Sequence, residues 1–408
     1  MSAQIRVAAA SIVAFFLAYD GMVYGQTAGP PDQTDDLAAA LRLSDAEVTR
    51  ARARVNPRRA PDTSLAFAEI DDGLDFPGVM TEDGSVDEFD LSPRAFGSFG
   101  IPYTTTRVQE GNRSTSASDA NRLSTTYPYR AVGKLTFRVG SISSFCTASL
   151  IRRSIIVTAA HCIQDFGSGT NLFSNFRFRP GHYGAAGATS EQIAPYGTWT
   201  PFRVTRATSW VNGTDVGCDA ARANDLAVMA IRKEDDRFIG DEVGYLAYSW
   251  NNYSFVSSPK TGNLRTAAVS SLGYPGLMDL GEIMQRTDGP TYTTTVCNAP
   301  QLWQGSNLTG GASGGPWVVN FSGRNAALSG GAAVADQSIM AVVGVTSWGS
   351  ADPNGPKDNY SSQFGQNTHF PGADYGGYGA GNIGSLLNSL CNTAAPEGGT
   401  LESRGYCD

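Results

Sequence analysis

From Tyr127 onward the chain alternates short β-branched and aromatic runs with turns rich in Gly, Asn and Asp. The runs Ala131–Val139, Ser149–Thr158, Asp225–Ile231, Ala267–Leu272, Pro316–Asn320 and Ala341–Trp348 predict strands. So many short strands predict an all-β barrel or sandwich. The period changes near the C-terminus, where Ile383, Leu386, Leu387 and Leu390 recur at helical spacing and predict one helix. No repeat of the solenoid type is present.

Upstream the texture differs. Arg6 precedes an apolar run, Val7–Ala18, followed by a candidate cleavage site at Val23-Tyr24-Gly25. The run is shorter than the roughly 20 residues a spanning helix needs, so residues 1–25 read as an export signal and no stable membrane insertion is expected. Residues 26–126 are polar and Cys-free and read as a pro-segment, with a linker of no further role as the alternative. Within them, Asp35–Val55 places Leu37, Leu41 and Val48 on one side of a predicted helix that Asn56-Pro57 would stop. The texture change at residue 127 opens the main domain, 127–392, and residues 393–408 form a C-terminal tail. Removal of the pro-segment is expected between Ser124 and Ala131.

Composition sharpens this division. The chain has 408 residues, 17% of them charged, with 47 Gly. That content disfavours coiled coils, helical repeats and global disorder. The net charge of −8 is concentrated in residues 26–126, which hold 17 acidic and 10 basic residues, whereas residues 127–408 hold 20 and 19. No basic face for nucleic acid is indicated. All six Cys fall after residue 127, with no CxxC pair, which points to disulfides and an oxidising compartment. With only three His and no paired ligand spacing, no metal is expected.

Two strings carry candidate chemistry: Thr158-Ala159-Ala160-His161-Cys162 after an apolar run, and Gly310-Gly311-Ala312-Ser313-Gly314-Gly315-Pro316-Trp317. A serine hydroxyl becomes a nucleophile only with a neighbouring base and needs N–H donors aimed at the developing oxyanion. Glycines flanking Ser313 let the backbone turn sharply and approach a substrate, so the N–H groups of Gly311 and Ser313 become candidate donors. His161, after a buried-type strand, is the candidate base. His182 and His369 lie in turn-like stretches and read as surface residues. A base of this kind needs a carboxylate to fix its tautomer, and Asp225, opening the apolar run Leu226–Ile231, fits better than Asp215 or Asp219.

The order His161, Asp225, Ser313, with the TAAHC and GASGGP strings, resembles the chymotrypsin-like serine endopeptidases. The resemblance covers about 127–392, and the chain's departures from the animal enzymes resemble the bacterial branch near the glutamyl endopeptidases. It implies two six-stranded β-barrels with a C-terminal helix, Asn382–Asn392, and a substrate cleft between the barrels. It also implies catalysis by His161, Asp225 and Ser313, and an oxyanion hole from Gly311 and Ser313. Val345-Thr346-Ser347-Trp348-Gly349 resembles the strand that pairs with substrate through Ser347, Trp348 and Gly349, with the Ser347 hydroxyl on Asp225. Cys146 would bridge to Cys162. The expectation is a secreted, monomeric, cofactor-free endopeptidase acting on protein or peptide substrates; the alternative is an inactive homologue used for binding or adhesion, and an esterase with the same triad is a third reading.

The chain departs from the family in places. Ala312 stands where animal enzymes carry the Asp that pairs with a newly made N-terminus. Thr309 replaces a Cys, Asn307 stands near the pocket base, and Thr346-Ser347 replaces a His that helps bind glutamate in the bacterial branch. An uncharged polar specificity pocket follows. Three pairings of Cys218, Cys297, Cys391 and Cys407 stay open, with 218–297 and 391–407 favoured. Asp352–Asp358 reads as a solvated turn rather than a calcium loop.

Overall fold

Apolar runs at Ile155–Val157 and Ala227–Ile231 lie covered on both faces in the first half of the folded chain, which is built from six strands. These are β1 (Val132–Val139), β2 (Ile142–Arg152), β3 (Ile155–Thr158), β4 (Ser174–Pro180), β5 (Pro201–Arg206) and β6 (Ala227–Ile231). Every residue of β3 and β6 is buried. The strands pair antiparallel in the order β5-β6-β3-β2-β1-β4. Among the described residues the edges pair where Phe178 of β4 and Trp199, just before β5, exchange hydrogen bonds of 2.9 and 2.8 Å.

The computed structural model describes residues 34–36, 97–98, 101–108, 123–257, 264–321, 339–349, 357–372 and 374–408. The expected signal, most of the expected pro-segment, the predicted helix beyond Asp36 and most of the Asp352–Asp358 turn lie outside them. Where that helix was to begin, Thr34–Asp36 is instead a short strand paired with β5.

The second half comprises β7 (Arg265–Gly273), β8 (Gln285–Val296), β9 (Ala299–Gly305), β10 (Pro316–Val319), β11 (Ala341–Gly349) and β12 (Asp358–Gln363). Here the ladder closes fully, β7-β8-β9-β12-β11-β10 and back to β7. The architecture is thus the expected pair of six-stranded units, one a closed barrel and the other more open. No helix among the described residues is long and apolar enough to cross a membrane.

The predicted C-terminal helix spans Gly381–Cys391 and buries Ile383, Leu386, Leu387 and Leu390 completely. It lies on β5 and β6, and each such leucine contributes about 1.5–3 kcal/mol by leaving water. The following tail is part of the core: Leu401, Tyr406 and Cys407 are buried, and the N–H groups of Arg153 and Ser154 donate to the carbonyls of Asp408 and Tyr406. Disulfides join Cys146–Cys162, Cys218–Cys297 and Cys391–Cys407.

Residues 97–98 and 101–108 also dock on the closed barrel. Thr104–Arg107 forms a strand antiparallel to β8, Val108 is 1% exposed, and Arg107 pairs with Asp279. Ser98 donates to the Asp358 carboxylate through its N–H and hydroxyl.

Candidate active site

The register of β3 and β6 sets the first part of the site. Thr158 faces Ala227 across the ladder, so the chain leaving β3 and the chain entering β6 lie side by side. The first makes a short 3-10 turn, Ala160–Cys162, pinned to β2 by the Cys146–Cys162 bridge. The second supplies Asp225. Its carboxylate accepts the His161 backbone N–H at 2.9 Å on one oxygen and contacts His161 Nδ1 at 2.7 Å with the other. A carboxylate there fixes the tautomer with the proton on Nδ1 and leaves Nε2 as the base.

The closed barrel completes the carboxylate's surroundings. The pairing of β11 with β12 shifts between Thr346 and Trp348, and a bulge of this kind re-aims a side chain. Ser347 at the shift donates its hydroxyl to Asp225 at 2.6 Å, across the two halves of the protein. Asp225 is 2% exposed, so this donor offsets part of the cost of burying its charge. His161 experiences opposing influences. Burial disfavours its charged form, but the charge and hydrogen bond of Asp225, with a smaller contribution from Asp165, raise its pKa above 6.5.

Ser313 sits on the loop entering β10. Gly314 has a φ of +77°, and a side chain there would collide with Thr158 Oγ1, the Thr147 carbonyl and Ala159 N. This close approach sets the Ser313 loop against the segment that carries His161. Thr147 N–H donates to the Ser313 carbonyl at 2.8 Å, and Gly314 N–H to the Thr346 carbonyl at 2.8 Å. His161 Nε2 is buried and has no hydrogen-bond partner among the described residues, so the Ser313–His161 hydrogen bond is not made in this arrangement. Such bonds often tighten only when substrate is present.

The candidate oxyanion donors are held from behind. Gly310 C=O accepts from Gly276 N–H at 2.7 Å, and Gly311 C=O accepts from Thr147 Oγ1 at 2.9 Å. In a trans peptide, C=O and N–H point in opposite directions. Tying the Gly310 carbonyl to Gly276 therefore turns the Gly311 N–H away from the loop at 274–276. Gly311 adopts φ +98°, and a Cβ there would lie 2.5 Å from both Phe145 Cε2 and the Tyr274 carbonyl.

Trp348 stacks on Tyr360 with ring centroids 3.8 Å apart and donates Nε1 to Gln301. Asn359 occupies the space a side chain at Gly349 would need, and its Nδ2 donates to the Leu308 and Asp358 carbonyls. Those two acceptors orient the amide, leaving a buried Oδ1 with no hydrogen-bond partner among the described residues. Asn307 Oδ1 accepts from Thr105 Oγ1 at 2.6 Å.

Asp215 is buried, holding Asn224 through N–H and Nδ2. His369 is exposed as expected, but His182 is fully buried. The turn containing it is covered by the segment around Glu282, whose carboxylate meets His182 Nε2 at 2.8 Å. Sequence reasoning also missed Thr147, Tyr274, Gly276 and Asn359; of these Thr147 adjoins Cys146, which the resemblance had singled out. Among the described residues two groups bring their donor atoms within 4.8 Å of one another, Cys146/His161/Cys162 and Cys391/Glu402/Cys407, but the cysteines of each are joined as disulfides and offer no thiolate.

The family model described as Trypsin matches residues 120–362. The glutamyl endopeptidase of Bacillus licheniformis is 28% identical over 200 residues, covering 49% of this chain and 52% of its own length. The chain thus spans about half the length of that curated relative. Among solved structures, the protease Anisep from Arthrobacter nicotinovorans is 22% identical, with a TM-score of 0.43, and the match covers 58% of this chain and 91% of that one. A Glu endopeptidase solved in complex with MPD is 16% identical, with a TM-score of 0.42, covering 70% and 94% respectively.

Proposed function

The chain belongs to the trypsin family, and on that premise we propose that it is a secreted serine endopeptidase that cleaves protein or peptide substrates through an acyl-enzyme on Ser313. The observation that carries the reading is the hydrogen-bonded Ser347–Asp225–His161 chain, set beside a glycine-flanked serine loop. In the proposed cycle His161 Nε2 takes the Ser313 hydroxyl proton as Oγ attacks the scissile carbonyl carbon. The N–H groups of Gly311 and Ser313 stabilise the oxyanion. His161 then passes the proton to the leaving amine, and water repeats the sequence to release the acid. Asp225 orients the ring and balances the imidazolium. The backbone of Ser347, Trp348 and Gly349 lines up the substrate as an added strand.

The relative named for glutamate does not set the preference here. By the resemblance Asn307 stands near the pocket base, Asn359 lies beside Gly349, both are neutral amides, and Thr346-Ser347 precedes Trp348 with no cation. An uncharged polar side chain at the scissile position is the reading these residues favour. Export follows from the apolar run in residues 1–25 and from the disulfides, and the acidic leader after it is removed. Because residues 97–98 and 101–108 dock on the closed barrel, processing upstream of Gly97 fits the fold better than cleavage between Ser124 and Ala131.

The test is turnover of a broad peptide-amide library by the processed protein, with cleavage sites read by mass spectrometry. The reading expects internal cleavage after uncharged polar residues. Cleavage dominated by glutamate contradicts the proposed preference, hydrolysis of small esters alone favours an esterase, and no turnover at all favours the inactive homologue.

A further inference from the structure

Behind the oxyanion loop lies a buried ionisable cluster that the proposed cycle does not use. Lys134, on β1, is 4% exposed and donates Nζ to Glu282 Oε1 at 3.1 Å. Glu282, 6% exposed, places Oε2 2.8 Å from His182 Nε2, and His182 Nδ1 lies 2.8 Å from the Ile193 carbonyl. The ring therefore bridges a carbonyl and a carboxyl, and the His182–Glu282 pair needs one shared proton beyond that of a neutral imidazole. Burying such groups is costly unless every partner is in place, so their retention calls for a role.

The contacts lead from this cluster to Gly311. The Tyr274 hydroxyl donates to the His182 carbonyl at 3.0 Å, and the Tyr274 N–H donates to Thr147 Oγ1 at 3.0 Å. That same Thr147 hydroxyl donates to the Gly311 carbonyl. The Lys134 ammonium sits 4.1 Å from the centroid of the Phe145 ring, whose edge abuts Gly311. The segment that begins with Tyr274 also supplies Gly276, the donor that fixes the Gly310–Gly311 peptide. Ala312 stands where the family's activation carboxylate would be, so the chain lacks that route to the same end.

We infer that Lys134, Glu282 and His182 are positioning residues that hold the 274–276 segment, and through it the Gly311 N–H, in the orientation the oxyanion requires. This deepens the endopeptidase reading and rests on it. The cluster touches no reacting atom, so it acts on the transition state by fixing a donor rather than by binding substrate.

The experiment compares wild type, Glu282→Ala and Glu282→Gln for kcat, KM and affinity for a peptide aldehyde, with thermal unfolding as the control for folding. Glutamine keeps both bonds, since its amide oxygen accepts from Lys134 and its NH₂ donates to a neutral His182. Outright loss of one oxyanion donor costs about 10²–10³ in kcat. Glu282→Ala should lose about tenfold or more in kcat, with KM nearly unchanged and aldehyde affinity reduced in parallel. Glu282→Gln should stay close to wild type. If Glu282→Ala does not fold, Tyr274→Phe, which removes only the bond to His182, decides by the same split. A folded Glu282→Ala variant with wild-type kcat, a Glu282→Gln variant as damaged as the alanine one, or an unaltered Tyr274→Phe overturns the inference. An inactive wild type overturns the endopeptidase reading as well, which separates the two failures.

Discussion

Replacing Asp225 by Asn removes one acceptor from a site where three donors converge. Asp225 meets the His161 N–H and Nδ1 and the Ser347 hydroxyl at 2.9, 2.7 and 2.6 Å. If the amide oxygen takes the place nearest Nδ1, the NH₂ group faces the His161 backbone N–H, and a buried donor left unpaired costs about 1–3 kcal/mol. If the NH₂ group takes that place, the Ser347 hydroxyl rotates to accept from it and Nδ1 must accept too. The second arrangement wins, because a hydroxyl rotates and a backbone N–H does not. It moves the imidazole proton to Nε2, so the ring no longer takes a proton from Ser313. The expected loss in kcat is about 10⁴, or about 5 kcal/mol in the barrier. The pH profile provides a second reading. His161 must be unprotonated to act, and its pKa is raised because Asp225's charge and hydrogen bond, aided by Asp165, outweigh burial. Wild-type kcat/KM should therefore fall with acidification through a midpoint above 6.5, and the residual activity of Asp225→Asn should fall at a lower pH. The assay is steady-state hydrolysis of a peptide amide across the neutral and acid range. A variant within tenfold of wild type, or an unmoved acid limb, would refute the reasoning.

Other expectations follow from the same geometry. Gly314→Ala places a Cβ against Thr158, Thr147 and Ala159 at φ +77°. The strained backbone alone costs about 1–3 kcal/mol, so activity should vanish and the melting temperature should drop in a thermal scan. Converting Cys391 and Cys407 to Ser opens a bridge with a sequence separation of 16 and should cost about 3 kcal/mol in denaturant unfolding. A chain beginning at Tyr127 loses Val108 and the strand on β8, and should be less stable than one beginning at Gly97 by at least the roughly 1.5–3 kcal/mol of a buried valine; equal unfolding midpoints would contradict the docking.

Much of the site was legible because its chemistry needs contiguous residue types. The string Thr158–Cys162, the glycines around Ser313 and the acid opening Leu226–Ile231 are each local, and their order along the chain is what carries the resemblance that implies a shared cleft. The helix at Gly381–Cys391 was legible from its apolar spacing. Other elements left no such trace. Strand β12 reads Asp-Asn-Tyr-Ser-Ser-Gln and β8 is rich in Thr with a Gly-Pro step, so neither shows the apolar run that signals a covered strand; closure of the barrel supplies their partners. Strand β4 alternates Phe176 and Phe178 with Arg177 and Arg179, yet all four are buried, so the alternation marks no solvent-facing side. His182 looked exposed because its carboxyl partner, Glu282, lies 100 residues away. The docking of Thr104–Arg107 was hidden for the same reason: a four-residue polar strand is recognisable only by the edge it covers.

The central claim is that Ser313 is the nucleophile activated by His161. Its most direct test is labelling of the processed protein by a peptidyl organophosphonate, with the adduct mapped by mass spectrometry. The account predicts a single adduct on Ser313, absent in Ser313→Ala and lost or greatly slowed in His161→Ala. Labelling that persists undiminished in Ser313→Ala, or an adduct on another residue, would contradict it.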